Sequence, residues 1–405
     1  MLVNALLESN QRTPKKLAVD DGVRSLTYRR LTLLAAVMRS IALRETRLDK
    51  VGIMLPASAA FPGTLFGTLW ASKIAVPLNF LLSAEELAAV VTDAGLDLVL
   101  TIRHFRDLAD KLPVRTLYLE DLALKRNILL AMFRRLPPPP QVEPDATAVL
   151  LYTSGTMAEP KGVELTYANL HRNCLDTIHT LEIDAKHVFL NVLPPFHVFG
   201  LTCLSLVPVF LGSTVYAMPR FSPLGLVKTV EAKGITMMMA IPSMYAAVLK
   251  TKSARADSFR SLYMAVSGGE PLPDRVRRGF FDRFGVTLLE GYGLTETSPV
   301  VCANSVSASR ERTVGRAIRN VKLRIVSPEG PDAPTGQCGE ILVKGPGVMK
   351  GYYRKPDETR SVIDPDGWFH TGDLGTLDTD GFLTITGRKK EMLIIGGENV
   401  FRREI

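Results

Sequence analysis

Along the chain, short unbroken apolar runs alternate with stretches whose apolar residues recur at helical spacing. Val51-Gly-Ile-Met-Leu precedes a helical pattern over Phe66 to Ala71, Leu96-Asp-Leu-Val-Leu one over Phe105 to Lys111, and Ile235-Thr-Met-Met-Met one over Ser243 to Lys250. Further strand-like runs, Leu262-Tyr-Met-Ala-Val and Val286-Thr-Leu-Leu-Glu, stand just before Ser267 and Gly291. A strand covered on both faces needs no polar alternation, so this texture predicts an α/β fold with parallel, doubly covered sheets. Ligands bind such sheets beyond the carboxyl ends of the strands. From Thr313 the pattern changes to short strands with Gly and Pro turns, such as Val321-Lys-Leu-Arg-Ile-Val and Gly339-Glu-Ile-Leu-Val, which predicts a small β-barrel-like subdomain.

Two stretches, Val51 to Ser72 and Val188 to Met218, contain no Asp, Glu, Lys or Arg. Pro56 and Pro62 interrupt the first, and Pro194, Pro195, Gly200, Pro208 and Gly212 the second, whereas a membrane span needs about 20 continuous apolar residues. Both read as buried strand-then-helix units. The segment Leu122 to Leu136 sets Leu129, Met132, Phe133 and Leu136 at helical spacing beside Arg134 and Arg135, ahead of four prolines. That pattern suits a surface helix packed on the fold before a stiff linker, and it also suits peripheral contact with a membrane face.

Composition narrows the class. At about 150 residues per domain, 405 residues provide for two or three packed cores. With 46% hydrophobic and 22% charged residues, the chain is an ordinary globular one. Its cysteines, Cys174, Cys203, Cys302 and Cys338, have no paired spacing, so neither a disulfide framework nor a zinc site is suggested. The amino terminus has no basic region ahead of its apolar residues, which argues against secretion and for the cytoplasm. A net charge of +8 favours anionic partners: phosphate-bearing ligands, acidic proteins and lipid headgroups. No nucleic-acid-binding signature accompanies that charge.

The most informative run is Leu151-Tyr-Thr-Ser-Gly-Thr-Met-Ala-Glu-Pro-Lys-Gly-Val163. Glycine lets backbone N–H groups converge on an anion, Thr153, Ser154 and Thr156 add hydroxyl donors, and Lys161 supplies a mobile point charge. The order differs from the Walker pattern, in which Gly-Lys-Ser/Thr opens a helix. Here Gly162-Val163 continues into a second strand, which predicts a phosphate-covering loop between two strands. Four more motifs follow in order: Gly268-Gly-Glu-Pro-Leu272, Gly291-Tyr-Gly-Leu-Thr-Glu-Thr-Ser-Pro299, Trp368-Phe-His-Thr-Gly-Asp-Leu-Gly375 and Gly387-Arg-Lys-Lys-Glu391. That ordered series resembles the adenylate-forming superfamily of acyl-CoA synthetases, luciferases and peptide-synthetase adenylation domains, over the whole chain. In texture it is most similar to bacterial long-chain fatty acyl-CoA ligases and acyl-[acyl carrier protein] synthetases.

The resemblance implies a fold and a reaction. It implies an adenylation domain over 1–388, built of two doubly wound α/β subdomains and the β-barrel-like subdomain at about 313–388. Residues 389–405 would be the hinge, at Lys390, and first strands of a C-terminal domain almost wholly absent, together with its catalytic lysine, so adenylation by this chain alone is expected to be severely impaired. Gly396-Gly-Glu-Asn-Val400 resembles the loop that enters the site for thiolation. A carboxylate would attack the α-phosphate of ATP and release pyrophosphate, and a thiol, of CoA or acyl carrier protein, would then displace AMP. Thr153, Ser154, Gly155, Thr156 and Lys161 match the phosphate loop; Gly291, Tyr292 and Gly293 the adenine-binding strand; Thr295 the α-phosphate contact; Glu296 the Mg²⁺ ligand. Asp373 and Arg388 match the ribose contacts, and His197 the aromatic gate near the carboxylate. Gly268, Gly269 and Glu270 resemble the loop lining the adenine and acyl pockets, although Glu270 equally fits a solvent-facing turn.

The chain departs from the family at Met157-Ala158, where Thr or Ser followed by Gly is usual. Alanine disfavours positive φ, so the turn is expected to be made differently or to be stiffer. No aspartate lies between Val188 and Met218 to hold a substrate amino group, which favours a simple acid, expected to be a fatty acid, over an amino acid. Two readings stay beside this one: an aryl-acid CoA ligase, and a homologue that holds nucleotide or acyl chain without turnover.

Overall fold

The computed structural model describes residues 1–153, 160–327, 330 and 332–389, and beyond these the backbone of the Met392–Ile395 and Glu398–Phe401 strands. Three sheets carry the architecture. The first has nine strands, in the order Arg316–Ala317, Val300–Ala303, Leu288–Gly293, Met264–Ser267, Met237–Ala240, Val188–Asn191, Thr214–Ala217, Leu17–Asp20, Ser25–Thr27. The second has seven, in the order Gly351–Tyr352, Lys161–Thr166, Thr147–Thr153, Ile74–Pro77, Lys50–Met54, Leu98–Thr101, Arg115–Tyr118. Pairing is parallel through the middle of both; both edges of the first sheet and the Gly351–Tyr352 side of the second are antiparallel, while the Arg115–Tyr118 edge pairs parallel. Met237–Ala240 and Met264–Ser267 are buried at every position, which is why their sequences run apolar without alternation.

The third sheet, Lys322–Val326, Gly339–Lys344, Phe369–Leu377 and Leu383–Arg388, is antiparallel and has its own small core of Ile325, Ile341, Val343 and Leu383 with Val301 and Cys302. Within 313–388, Arg316–Ala317 pairs into the first sheet and Gly351–Tyr352 into the second, so this stretch stitches the sheets together. The expected α/β class is present. The Leu122–Leu136 segment is helical only over Leu124–Ala131, so Arg134 and Arg135 lie past the helix, ahead of the prolines that cannot continue it. No helix among the described residues is long and apolar enough to cross a membrane.

One core runs between the two large sheets, and its tightest packing is a pair of crossed helices, Tyr28–Glu45 and Ala60–Trp70. The second is buried almost throughout, and the pair can approach because Gly63 and Gly67 share a face. A Cβ at Gly63 would lie 2.4 Å from Leu34 Cδ2, and one at Gly67 would lie 2.5 Å from Met38 Cβ and 2.7 Å from the Ala35 carbonyl oxygen. Because the last obstacle is backbone, it cannot swing away. Gly67→Ala is expected to destabilise the fold by about 2 kcal/mol through overpacking. Thermal unfolding checks this, and an unchanged midpoint would remove the helix crossing as a tight constraint.

Candidate active site

Thr153 and Lys161 face each other across the antiparallel pair Thr147–Thr153 and Lys161–Thr166 and flank the mouth of the connecting loop. Ser154, Gly155, Thr156 and the Met157-Ala158 departure lie outside the described residues. On the other side of Lys161–Thr166 the short Gly351–Tyr352 strand adds antiparallel, with Tyr352 opposite Val163. That register brings the Tyr352 ring under the lysine, with Nζ 3.6 Å from the ring centroid.

Lys161 Nζ is also 3.0 Å from Glu358 Oε2, and Lys355 Nζ is 3.1 Å from Glu358 Oε1. Hydrogen bonds from the two lysines hold the Glu358 carboxyl below the usual carboxylate range. With the pKa depressed, the pairing is complete above the ordinary value of about 4.3 and is lost only as the pH falls below it. Glu358 is 42% exposed, so the pair contributes no more than about 1 kcal/mol to stability. Its effect is to aim the lysine.

The Tyr352 hydroxyl donates to Glu296 Oε1 at 2.9 Å. Burial, and secondly the Glu296 charge, raise the phenol's pKa far above neutrality, so it stays a donor. One aromatic side chain therefore joins the lysine of the first motif to the acid of the third. The Thr295–Thr297 turn that carries Glu296 is itself clamped. Asn173 Nδ2 donates to the Thr297 and Val300 carbonyls at 3.2 and 2.8 Å, the Ser298 hydroxyl donates to the Gly347 carbonyl at 2.8 Å, and Met349 N donates to the Glu296 carbonyl at 2.8 Å. Gly293 is required beside it, since a Cβ there would lie 2.1 Å from the Pro299 carbonyl oxygen.

A second cluster forms where the first and third sheets meet. The Tyr292 hydroxyl donates to Asp373 Oδ2 at 2.6 Å, and Arg388 Nε lies 3.1 Å from Asp373 Oδ1. Asp373 sits opposite Arg388 in the strand register, and Asp373 N donates to the Thr371 hydroxyl at 3.0 Å. The carboxylate is buried while the guanidinium is largely exposed. Desolvation, then the Asp373 charge, raises the Tyr292 phenol well above its ordinary pKa. Gly291 stands next to Tyr292 in the Leu288–Gly293 strand, paired with Ala303.

Gly268, Gly269 and Glu270 follow the Met264–Ser267 strand. Gly269 has φ +82°, and a Cβ at Gly268 would lie 3.1 Å from Phe199 Cε1, so a side chain there would press on that ring. Phe199 belongs to the short Val198–Leu201 helix that His197 opens, which brings the gate candidate and the glycine loop together. The residue His197 is exposed, yet its imidazole rests against Phe196 with centroids 4.6 Å apart, and desolvation lowers its pKa. It is therefore neutral at pH 7. No hydrogen bond or ion pair among the described residues ties His197 or Glu270 to either cluster. Lys390 lies outside the described residues.

The AMP-binding enzyme family model matches residues 6–353. The chain belongs to that family. Members similar to it include feruloyl-CoA synthase of an Amycolatopsis species, 32% identical over 399 residues, covering 97% of this chain and 79% of that protein. The long-chain-fatty-acid–CoA ligase of Bacillus subtilis is 32% identical over 450 residues, covering 100% and 79%. Among solved structures, ATP-bound MatB from Rhodopseudomonas palustris superposes with a TM-score of 0.89 at 29% identity, covering 100% of this chain and 82% of that one.

Sequence reasoning missed Tyr352 and Glu358. Tyr352→Phe keeps the ring beneath Lys161 but removes the bond to Glu296, and is expected to weaken MgATP binding about fivefold, near 1 kcal/mol. Tyr352→Ala, which removes both contacts, should weaken it several times more, while Glu358→Gln should leave the melting temperature almost unchanged. Calorimetric titration with MgATP and thermal melting check all three, and equal affinity for the Phe and Ala variants would deny the ring any role in holding Lys161.

Proposed function

We propose that this protein is an AMP-forming acid–thiol ligase that joins a fatty acid to CoA or an acyl carrier protein through an acyl-adenylate. The observation that carries the reading is the pair of clusters joined by the Tyr292–Glu296 stretch: Tyr292, Asp373 and Arg388 at one end, Glu296, Tyr352 and Lys161 at the other. In this reading Asp373 accepts the ribose hydroxyls, which a carboxylate with about four lone-pair sites can do while keeping a bond from Tyr292. Arg388 adds a second ribose contact, and Tyr292, Gly291 and Gly293 lie along the adenine, with Gly268, Gly269 and Glu270 across from them.

Thr295 contacts the α-phosphate, and Thr153, Ser154, Gly155, Thr156 and Lys161 hold the β- and γ-phosphates. Fixed donors in these positions stabilise charge that shifts toward pyrophosphate as the acid oxygen attacks. The residues fit Mg²⁺: this ion usually takes one or two carboxylates plus substrate phosphates, and Glu296 offers a clamped hard oxygen where the described residues hold no cluster of three or more ligands. When bound, the ion neutralises phosphoryl charge. In this reading His197, whose imidazole is kept neutral by desolvation, presents no repelling or trapping charge to the incoming carboxylate and acts as the gate. We further propose 1–388 as one adenylation unit, with Lys390 as the pivot between the two half-reactions.

A fatty acid is favoured by the apolar Val188–Met218 stretch around His197, which contains no Asp, Glu, Lys or Arg. An aryl acid is the second reading, supported by the equal identity to feruloyl-CoA synthase and by Phe80, stacked on Phe105 at 4.5 Å and edge-on to Phe196 at 4.9 Å. Exchange of labelled pyrophosphate into ATP, measured on a form that also carries the family's C-terminal domain and driven by a panel of fatty and cinnamic-type acids, is expected to be fastest with a long-chain acid. Asp373→Asn should reduce exchange by about two orders of magnitude, in the range of losing a hydrogen bond to a charged group, 1.5–3 kcal/mol. Exchange with aryl acids alone would transfer the assignment to the second reading. ATP binding without exchange for any acid would indicate a nucleotide-holding homologue.

A further inference from the structure

The Leu124–Ala131 helix and the turn after it leave the Arg115–Tyr118 edge strand and pack on the Tyr28–Glu45 helix. Leu124, Ile128 and Ala131, at helical spacing, rest against the core. The other side presents Leu129, Leu130, Met132 and Phe133, which are 55, 50, 45 and 84% exposed. Four large apolar side chains within five residues form a contiguous bare patch, unlike single exposed apolar residues, which are ordinary on any surface.

Lys125, Arg126, Arg134 and Arg135 surround this patch and are all exposed, and no Asp or Glu occurs from Leu122 to Val142. None of the four has a carboxylate partner among the described residues. The segment is fixed at both ends: Asn127 Nδ2 donates to the Leu122 carbonyl at 2.8 Å, and Trp70 Nε1 donates to the Pro138 carbonyl at 2.9 Å.

From this we infer that the 124–135 segment is a membrane-docking surface that inserts Met132 and Phe133 at the headgroup boundary of an anionic phospholipid bilayer while its four cations take the lipid phosphates. Two signals of this kind, apolar insertion and a basic rim, are what stable peripheral attachment requires. The shape favours lipid over a folded acidic partner. Phe133 stands out from the surface rather than lining a groove, so a protein would need a matching pocket, whereas a fluid bilayer accommodates a protruding ring. The inference does not depend on which acid the enzyme activates.

Co-sedimentation of the full chain with vesicles of phosphatidylcholine alone, or mixed equally with phosphatidylglycerol, tests it. The mixed vesicles should bind the protein, and raising the salt should release it. Two double variants, M132S/F133S and R134E/R135E, should each lower partitioning about tenfold, with melting temperature and ATP affinity unchanged because every altered residue is exposed and none is bonded to a residue of either cluster. Equal partitioning onto the two vesicle types, or variants that bind like the parent, would overturn the inference. So would loss of saturable binding to a holo acyl carrier protein in these variants with vesicle binding intact, which would make the segment a protein-docking site.

Discussion

The Thr295–Thr297 turn is the fixed point of this molecule. It carries the Glu296 carboxylate, yet no regular ladder holds it; buried amides and hydroxyls from distant parts of the chain do. Asn173 grips it from the Tyr167–Leu181 helix, and the 346–349 backbone grips it from the other side through Ser298 and Met349. Asn169, one helical turn before Asn173, donates to the Pro346 and Val348 carbonyls at 2.8 Å each, so one helix face fixes both the turn and the strap beside it. A buried amide left unpaired costs about 1–3 kcal/mol, so no part of this clamp slips without penalty. The strap then continues directly into Gly351–Tyr352, and the position of the Tyr352 ring follows from the position of the turn.

This arrangement explains why the three sheets act together although each has a separate hydrogen-bonded ladder. A two-residue strand from within the third sheet's stretch of chain completes the edge of the second sheet, and the strand that ends in Tyr292 and Gly293 belongs to the first. Asp373 reaches back from the third sheet to that tyrosine. The Tyr292–Asp373 and Tyr352–Glu296 contacts between ladders are short and charge-assisted, and the third sheet keeps a small apolar core apart from the one shared by the two large sheets, so its meeting line is specified by a handful of side chains.

Much of this was readable in the amino-acid order, for identifiable reasons. Unbroken runs such as Met237–Ala240 announce a strand covered on both faces, and the apolar residues on either side of the Thr153 to Lys161 run announce two strands joined by a loop. Tyr352 and Glu358 were not readable. A tyrosine after glycine in a β-rich region looks like any half-buried strand residue, and its partners, Lys161 and Glu296, are 191 and 56 positions away. Glu358 sits in a short helix rich in both charges, where an acid ordinarily faces solvent. The helix predicted over Leu122 to Leu136 ended early because the apolar periodicity continues past Ala131 while the helical hydrogen bonding gives way to turns from Phe133 to Arg134. Side-chain spacing along a chain carries local geometry, but pairing across sheets is fixed by register.

The thiols have a practical consequence. Cys174, Cys203 and Cys302 are buried, and burial pushes their ionisation upward, whereas Cys338 is exposed, with its sulfur 3.2 Å from the Thr386 hydroxyl. A maleimide dye offered to the native protein therefore has one preferred address, on the sheet that bears Asp373 and Arg388. Its emission would report on that sheet's surroundings as nucleotide arrives, without any engineered cysteine.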